Sequence, residues 1–125
     1  MQMSMVLHAQ AFTQITINDW NSATEPKTRG TWNLHNATLS PAVDLDFFIL
    51  FSSSSGIVGQ VGQANYAEAN TFLDAFVQYR TNMGLPCTAS DIGAVEGVGF
   101  LYENEDLLKK MSGTDWRAIP RSTVI

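Results

Sequence analysis

The chain is short of charge. Asp, Glu, Lys and Arg supply 15% of its 125 residues, where a globular chain usually carries about a quarter. Such a deficit suits a segment taken from the interior of a larger folded body, and scatter in a short chain accounts for it nearly as well. Lys and Arg number 7 against 12 acidic residues, for a formal net charge of -5. That argues against a nucleic-acid groove, which needs a concentrated basic face. A polyanionic cofactor is less affected, because backbone N–H groups at a helix start hold phosphate without basic side chains. Cys87 is alone, so no disulfide closes within the chain and a reducing compartment is expected. No apolar run approaches the roughly 18 residues of a membrane span. The opening MQMSMVLHAQAF has no Lys or Arg ahead of its short apolar stretch, unlike a signal peptide. The expectation is a soluble, cytoplasmic protein with neither nucleic acid nor a membrane as partner. His8 and His35 are too isolated to suggest a metal site and are expected to be structural or exposed. Asp44, Asp46, Glu103, Glu105 and Asp106 read as solvated charges rather than a catalytic carboxylate pair.

What the chain does have is apolar content, 45% of residues, enough for the core of at most one domain. Asn18 and Asp19 before Trp20 resemble the cap of a short helix. Pro26 sits where a second helix would start, at the position where its missing N–H does no harm. That helix is expected to reach about Thr38, with Trp32, Leu34 and Leu39 as apolar contacts, and to stop at Ser40-Pro41. Leu45 to Phe51 (LDFFILF) is the clearest strand, apolar enough for a parallel strand covered on both faces. A Ser/Gly loop follows from Ser52 to Gly62. Ala64 to Met83 reads as a helix with Phe72, Phe76 and Tyr79 on one stripe and Leu73 and Val77 beside it. Gly84 is its expected left-handed stop, with Pro86 shortly after. Thr88 to Ile92 is a second strand, which completes a βαβ crossover. Gly93, Gly97 and Gly99 make a loop, and Asn104 to Met111 a short polar helix over its mouth.

In an open parallel sheet, ligands collect at the C-terminal strand ends. The serine loop after Phe51, the glycine loop after Ile92 and the start of the long helix meet there. That helix start carries Tyr66 and Asn70, spaced i, i+4 on one face.

The run FSSSSGIVGQVGQANYAEANTFLDAF resembles the active-site segment of polyketide-synthase ketoreductase domains, members of the short-chain dehydrogenase/reductase superfamily. In that family a serine follows the strand, a tyrosine comes 13 positions later and an asparagine 4 after that; Ser53, Tyr66 and Asn70 meet both spacings. PKTRGTWNLH is similar to the family's helix bearing a lysine, matched by Lys27, and GLPCTASDIG to the next strand and the start of the nicotinamide-side loop at Gly93. Most short-chain dehydrogenases carry lysine four residues after the tyrosine. Asn70 there, with lysine on the preceding helix, is the polyketide-synthase arrangement, and it speaks against a sugar epimerase of the same superfamily. The wording is closest to highly reducing iterative synthases of the fungal kind, and the likeness runs from about Met5 to about Pro120.

The resemblance implies a partial Rossmann-like α/β fold, with residues 1–125 as the C-terminal part of one ketoreductase domain. It also implies an NADPH-dependent reduction of a β-ketoacyl thioester, presented on an acyl carrier protein, to a β-hydroxyacyl thioester. Tyr66 would give the proton, since a phenol with a reference pKa of about 10 is an adequate donor when an ammonium nearby favours the phenolate. Lys27 would supply that ammonium and bond the nicotinamide ribose beside Tyr66 and Gly93. Ser53 would donate to the developing oxyanion, an interaction commonly worth roughly 3 kcal/mol. Asn70 would hold Lys27 or a water of the proton relay.

Taken singly, each has a plainer reading: packing for Tyr66, turn formation for Ser53, a solvated helix residue for Asn70, a surface amine for Lys27. Several family features are also missing. No GxGxxG turn for a pyrophosphate occurs, so most of the NADPH site is expected outside this chain, in the remainder of a synthase polypeptide. Leu7-His8-Ala9 stands where one stereochemical fingerprint has LDD, and Val58 where the other has tryptophan. A non-catalytic reading follows from the missing cofactor half: a truncated relic or interaction module that retains the motif. Alone, the chain is expected to expose an apolar strand and an unpaired edge.

Overall fold

The computed structural model describes residues 1–40, 42–97, 102 and 117–123, in two compact units, Met1–Ile92 and Gly93–Ile125. The first unit begins with an extended segment and one 3₁₀ turn, Phe12–Gln14. Helix α1, Ile17–Ala37, then starts at Thr16 in a capping box. The Thr16 hydroxyl accepts the Asp19 N–H at 3.2 Å, and the Asp19 carboxylate accepts the Thr16 N–H at 3.1 Å. Two of the orphan donors of a helix start are thereby satisfied.

This corrects the expectation of two helices meeting at Pro26. There is one, and the proline lies inside it. Its ring fits helical φ and costs the helix one hydrogen bond, to the carbonyl of Ser22. Ser22 is exposed, so water can take that carbonyl. The buried face of α1 is also unlike the one expected. Leu34 and Leu39 are exposed and Trp32 is 38% exposed; Ala23, Thr24, Lys27, Thr31 and His35 are buried instead. These smaller and polar side chains let α1 lie against helix α3, Ala64–Asn82.

Strand β1 is Ile49–Ser53. It therefore starts later and ends later than the apolar run Leu45 to Phe51 suggests. Phe47 is exposed and only the Phe48 carbonyl joins the ladder, accepting Thr88 N–H at 2.9 Å. Strand β2, Thr88–Ile92, pairs with β1 in parallel, Ile49 opposite Thr88 and Ser53 opposite Ile92. Pairing with Asp91 and Ile92 carries Ser52 and Ser53 into the strand, where composition suggests only loop. On its other edge β1 bridges Gln2, whose N–H donates to Ile49 O at 2.9 Å and whose carbonyl accepts Phe51 N–H at 3.0 Å. Three chain segments thus lie side by side, with β1 in the middle.

Alternate residues of β1 turn toward α3: Phe48, Leu50, Leu73 and Phe76 form the buried core, with Phe72, Val77 and Ala89 packed around it. The opposite face, Ile49, Phe51 and Ser53, is half-buried. Between β1 and α3 runs a short helix α2, Ser55–Val58. The long helix ends as expected, with Gly84 at φ 74°, a conformation that favours glycine. Tyr79 is 42% exposed, so the expected aromatic stripe is buried only at Phe76 and in part at Phe72. In the second unit Val95 bridges Ile119 in parallel, through Ile119 N–H to Ala94 O at 2.7 Å and Glu96 N–H to Ile119 O at 2.9 Å. The expected helix from Asn104 to Met111 and its acidic residues lie outside the described residues.

Candidate active site

The C-terminal end of β1 and the first turns of α3 hold the candidate side chains. Lys27 is 4% exposed and extends from α1 to β1, where its Nζ donates to the Phe51 carbonyl at 2.7 Å. The ammonium lies 5.9 Å from the centroid of the Tyr66 ring, within cation–π range. Burial lowers the Lys27 pKa from 10.5 to about 8, against an opposing pull from Asp74. A charged amine in a site this enclosed is costly, and the Phe51 carbonyl and the Asp74 charge offset only part of that cost.

Tyr66 is half-buried in the first turn of α3. Its backbone N–H donates to Asn65 Oδ1 at 2.8 Å, and Asn65 Nδ2 reaches the His8 carbonyl at 3.3 Å. The start of α3 is thus tied to the N-terminal segment, from which Met5 Sδ accepts the Tyr66 hydroxyl at 3.6 Å. Asn70 is fully buried. Its Nδ2 donates to the Tyr66 carbonyl at 2.7 Å, while its Oδ1 has no partner among the described residues. The Asn70 main-chain carbonyl accepts Ser52 Oγ at 3.3 Å, which pins α3 to β1.

Ser53 closes β1. Its Oγ accepts the Ser55 N–H at 3.3 Å and the Ser55 hydroxyl at 3.0 Å. With both lone pairs engaged, its own hydrogen is left to donate. Lys27 thus meets the Tyr66 ring and Asn70 the Tyr66 main-chain carbonyl, while Ser53 lies two residues beyond Phe51, the strand residue that Lys27 bonds. Gly93 follows the end of β2, half-buried, as the first residue of the second unit.

Asp74 and Asn65 carry no signal in the sequence beyond lying on the helix. The Asp74 carboxyl is pushed above its ordinary value, chiefly by burial and also by Asp91, with Ser52 and Lys27 pulling it down. Its Oδ1 has no hydrogen-bond partner among the described residues. Asp74 is one further turn along α3 from Asn70, in one row with Tyr66 at i, i+4 spacing, and its charge acts on Lys27. Among the described residues there is no metal-binding cluster and no helix long and apolar enough to cross a membrane.

A parallel strand–helix–strand with tyrosine and asparagine on the crossover helix, and a buried lysine reaching in from the preceding helix, defines a short-chain dehydrogenase/reductase fold. A short-chain dehydrogenase/reductase from Brucella melitensis superposes with a TM-score of 0.69 over 94% of this chain and 48% of its own, at 16% identity. Within that class the match narrows. The KR domain family matches residues 1–97, and the chain belongs to that family. The structure of A-type ketoreductases from a modular polyketide synthase gives a TM-score of 0.85 at 27% identity, over 95% of this chain and 25% of that one. Highly reducing polyketide synthase sphB of Aspergillus fumigatus is 50% identical over 124 residues, which is 99% of this chain. Highly reducing polyketide synthase lcsB of Purpureocillium lilacinum is 57% identical over 108 residues. The chain spans only 5% and 4% of the length of these two relatives.

Proposed function

We propose that the chain is the catalytic segment of a ketoreductase in a highly reducing polyketide synthase. It would reduce a β-ketoacyl thioester, carried by an acyl carrier protein, to the β-hydroxyacyl thioester at the expense of NADPH. The observation that carries this reading is the buried Lys27 ammonium, anchored 2.7 Å from the Phe51 carbonyl and 5.9 Å from the Tyr66 ring. A packing lysine has no reason to accept that burial, whereas a proton-donating tyrosine needs a cation at that place.

A nicotinamide cofactor, when bound, supplies the hydride. The residues present fit its ribose end: Lys27 Nζ spends one proton on Phe51 and has others for ribose hydroxyls, beside the phenol of Tyr66. They do not provide a glycine-rich pyrophosphate turn, so the remaining contacts belong to the rest of the synthase polypeptide, and Gly93 is assigned to the nicotinamide side. Tyr66 passes its proton to the substrate oxygen, Ser53 donates its free hydrogen to the same oxygen, and Lys27 keeps the phenolate stable afterwards. Asn70 offers its open Oδ1 to the group that returns the proton.

In the intact synthase, Tyr66→Phe is expected to cut ketone reduction by at least about a hundredfold, the usual scale of a general acid, with cofactor affinity nearly unchanged. Turnover at the wild-type rate in this variant would remove the catalytic assignment.

A further inference from the structure

Beyond the candidate site, at the C-terminal ends of α1 and α3, lies a buried cation that the chemistry above does not use. Arg80 is 1% exposed, yet among the described residues no carboxylate lies within 4 Å of it. Its partners are neutral. Nε donates to the Pro86 carbonyl at 3.2 Å, Nη1 meets His35 Nδ1 at 2.8 Å, and Cζ lies 4.0 Å from the Phe48 ring centroid. One side chain on α3 thus joins α1, β1 and the segment that enters β2.

The geometry dictates a protonation state. A guanidinium has only donors and does not release a proton in a protein. At 2.8 Å, His35 Nδ1 is therefore the acceptor and carries no hydrogen. His35 is itself 1% exposed and sits edge-on to Trp32, Phe76 and Tyr79, each with ring centroids 5.5 Å away. Protonating it would set two cations against each other with little water to screen them. The groups facing the pair are few. Trp32 comes from α1, Phe76 and the Tyr79 phenol from α3, and Phe48 from beside β1. The Pro86 carbonyl and Cys87, whose thiol is pushed up by burial, come from the approach to β2. Asp74, further up α3, interacts with Lys27, Ser52 and Asp91 instead.

We propose that the His35–Arg80 hydrogen bond is a positioning latch that holds α1 against α3, and so Lys27 against Tyr66, only while the imidazole is neutral. Lys27 and His35 lie on the same buried face of α1, about two turns apart, so movement of the latch end tilts the helix that carries the lysine. Burial, and then the Arg80 charge, hold His35 below the ordinary histidine range. The unfolded chain therefore binds this proton more readily. The latch is at full strength above about pH 6.5 and weakens as pH falls below that value. The kinetic part of this inference rests on the ketoreductase reading; the structural part does not.

The test compares wild type with His35→Asn and His35→Gln in the intact synthase polypeptide. Both variants keep an acceptor for Arg80 and take up no proton. Ketoreductase kcat and KM, and limited proteolysis mapped to α1 and α3, are followed from about pH 8 to about pH 5. At pH 8 at least one variant is expected to match wild type within about twofold. In acid, wild-type kcat falls by up to about tenfold per pH unit once His35 protonates, with faster cleavage in α1 and α3. The variants lack that limb. Parallel acid loss in wild type and variants overturns the latch, as does collapse of both variants at pH 8. A pH-dependent cleavage difference without any ketone reduction leaves the latch standing and refutes the ketoreductase reading alone.

Discussion

Lys27 makes the sharpest prediction. Burial takes its pKa from 10.5 to about 8, although Asp74 opposes the change. That difference corresponds to about 3 kcal/mol against the charged form in the folded chain. The sign follows directly: the unfolded lysine holds its proton up to about pH 10.5, and the folded one releases it near 8. Lys27 therefore costs stability below pH 8, and that cost fades as pH rises to about 10.5. Relative to Lys27→Met, wild type should gain about 3 kcal/mol across this window. The Phe51 carbonyl left without a donor in the variant is a constant offset and does not alter the slope. Two assays read the effect. Acylation rate of the Lys27 amine against pH, followed by peptide mass spectrometry, should show a midpoint near 8, with exposed lysines near 10.5. Urea unfolding of a complete ketoreductase domain should show the gap between wild type and Lys27→Met moving in favour of wild type as pH rises. A midpoint near 10.5, or a gap independent of pH, would refute the reasoning. Asp74→Asn removes the opposing charge and should move the midpoint lower still.

Two structural predictions accompany it. At Gly56 an added Cβ would lie 3.1 Å from both Thr71 N and Asn70 Cβ, so Gly56→Ala crowds α2 against α3 and requires a shift of a few tenths of an ångström there. A loss of about 1–3 kcal/mol is expected, with a fall in kcat, checked by denaturant titration and turnover; an unchanged protein would mean that this contact is loose. Thr16→Ala dismantles the capping box and should cost about 1 kcal/mol, with kcat hardly changed. A larger loss of activity than of stability would contradict a role confined to capping α1.

What could be read in the sequence follows from what burial does to composition. Strand β2 and helix α3 have the lengths their residues suggest, because α3 buries an apolar row at Leu73 and Phe76 and ends at a glycine with positive φ. Helix α1 misleads. Its buried face is Thr24, Lys27, Thr31 and His35, which leaves no apolar stripe, and Pro26 looks like a helix start. The limits of β1 depend on the partner strand rather than on apolar content, so Ser52 and Ser53 pair while Leu45 and Phe47 do not. Gln2 beside β1 rests on a single bridge, too brief for any periodic pattern.

The candidate site divides in the same way. Tyr66 and Asn70 could be set on one face because i, i+4 spacing is rigid along a helix, while the reading of Ser53 rests on the family resemblance. Lys27 needed the family resemblance, since nothing local marks it as buried. Asp74, Asn65 and the Arg80–His35 pair act between elements distant in sequence, where neither spacing nor composition carries a trace.

The central claim is best tested by the structure of the intact ketoreductase with cofactor and a β-ketoacyl thioester analogue bound. The account predicts one carbonyl oxygen within about 2.6–3.2 Å of both the Tyr66 hydroxyl and Ser53 Oγ, with Lys27 still on the Phe51 carbonyl. A carbonyl seated away from either hydroxyl, or Lys27 turned out to solvent, would contradict it.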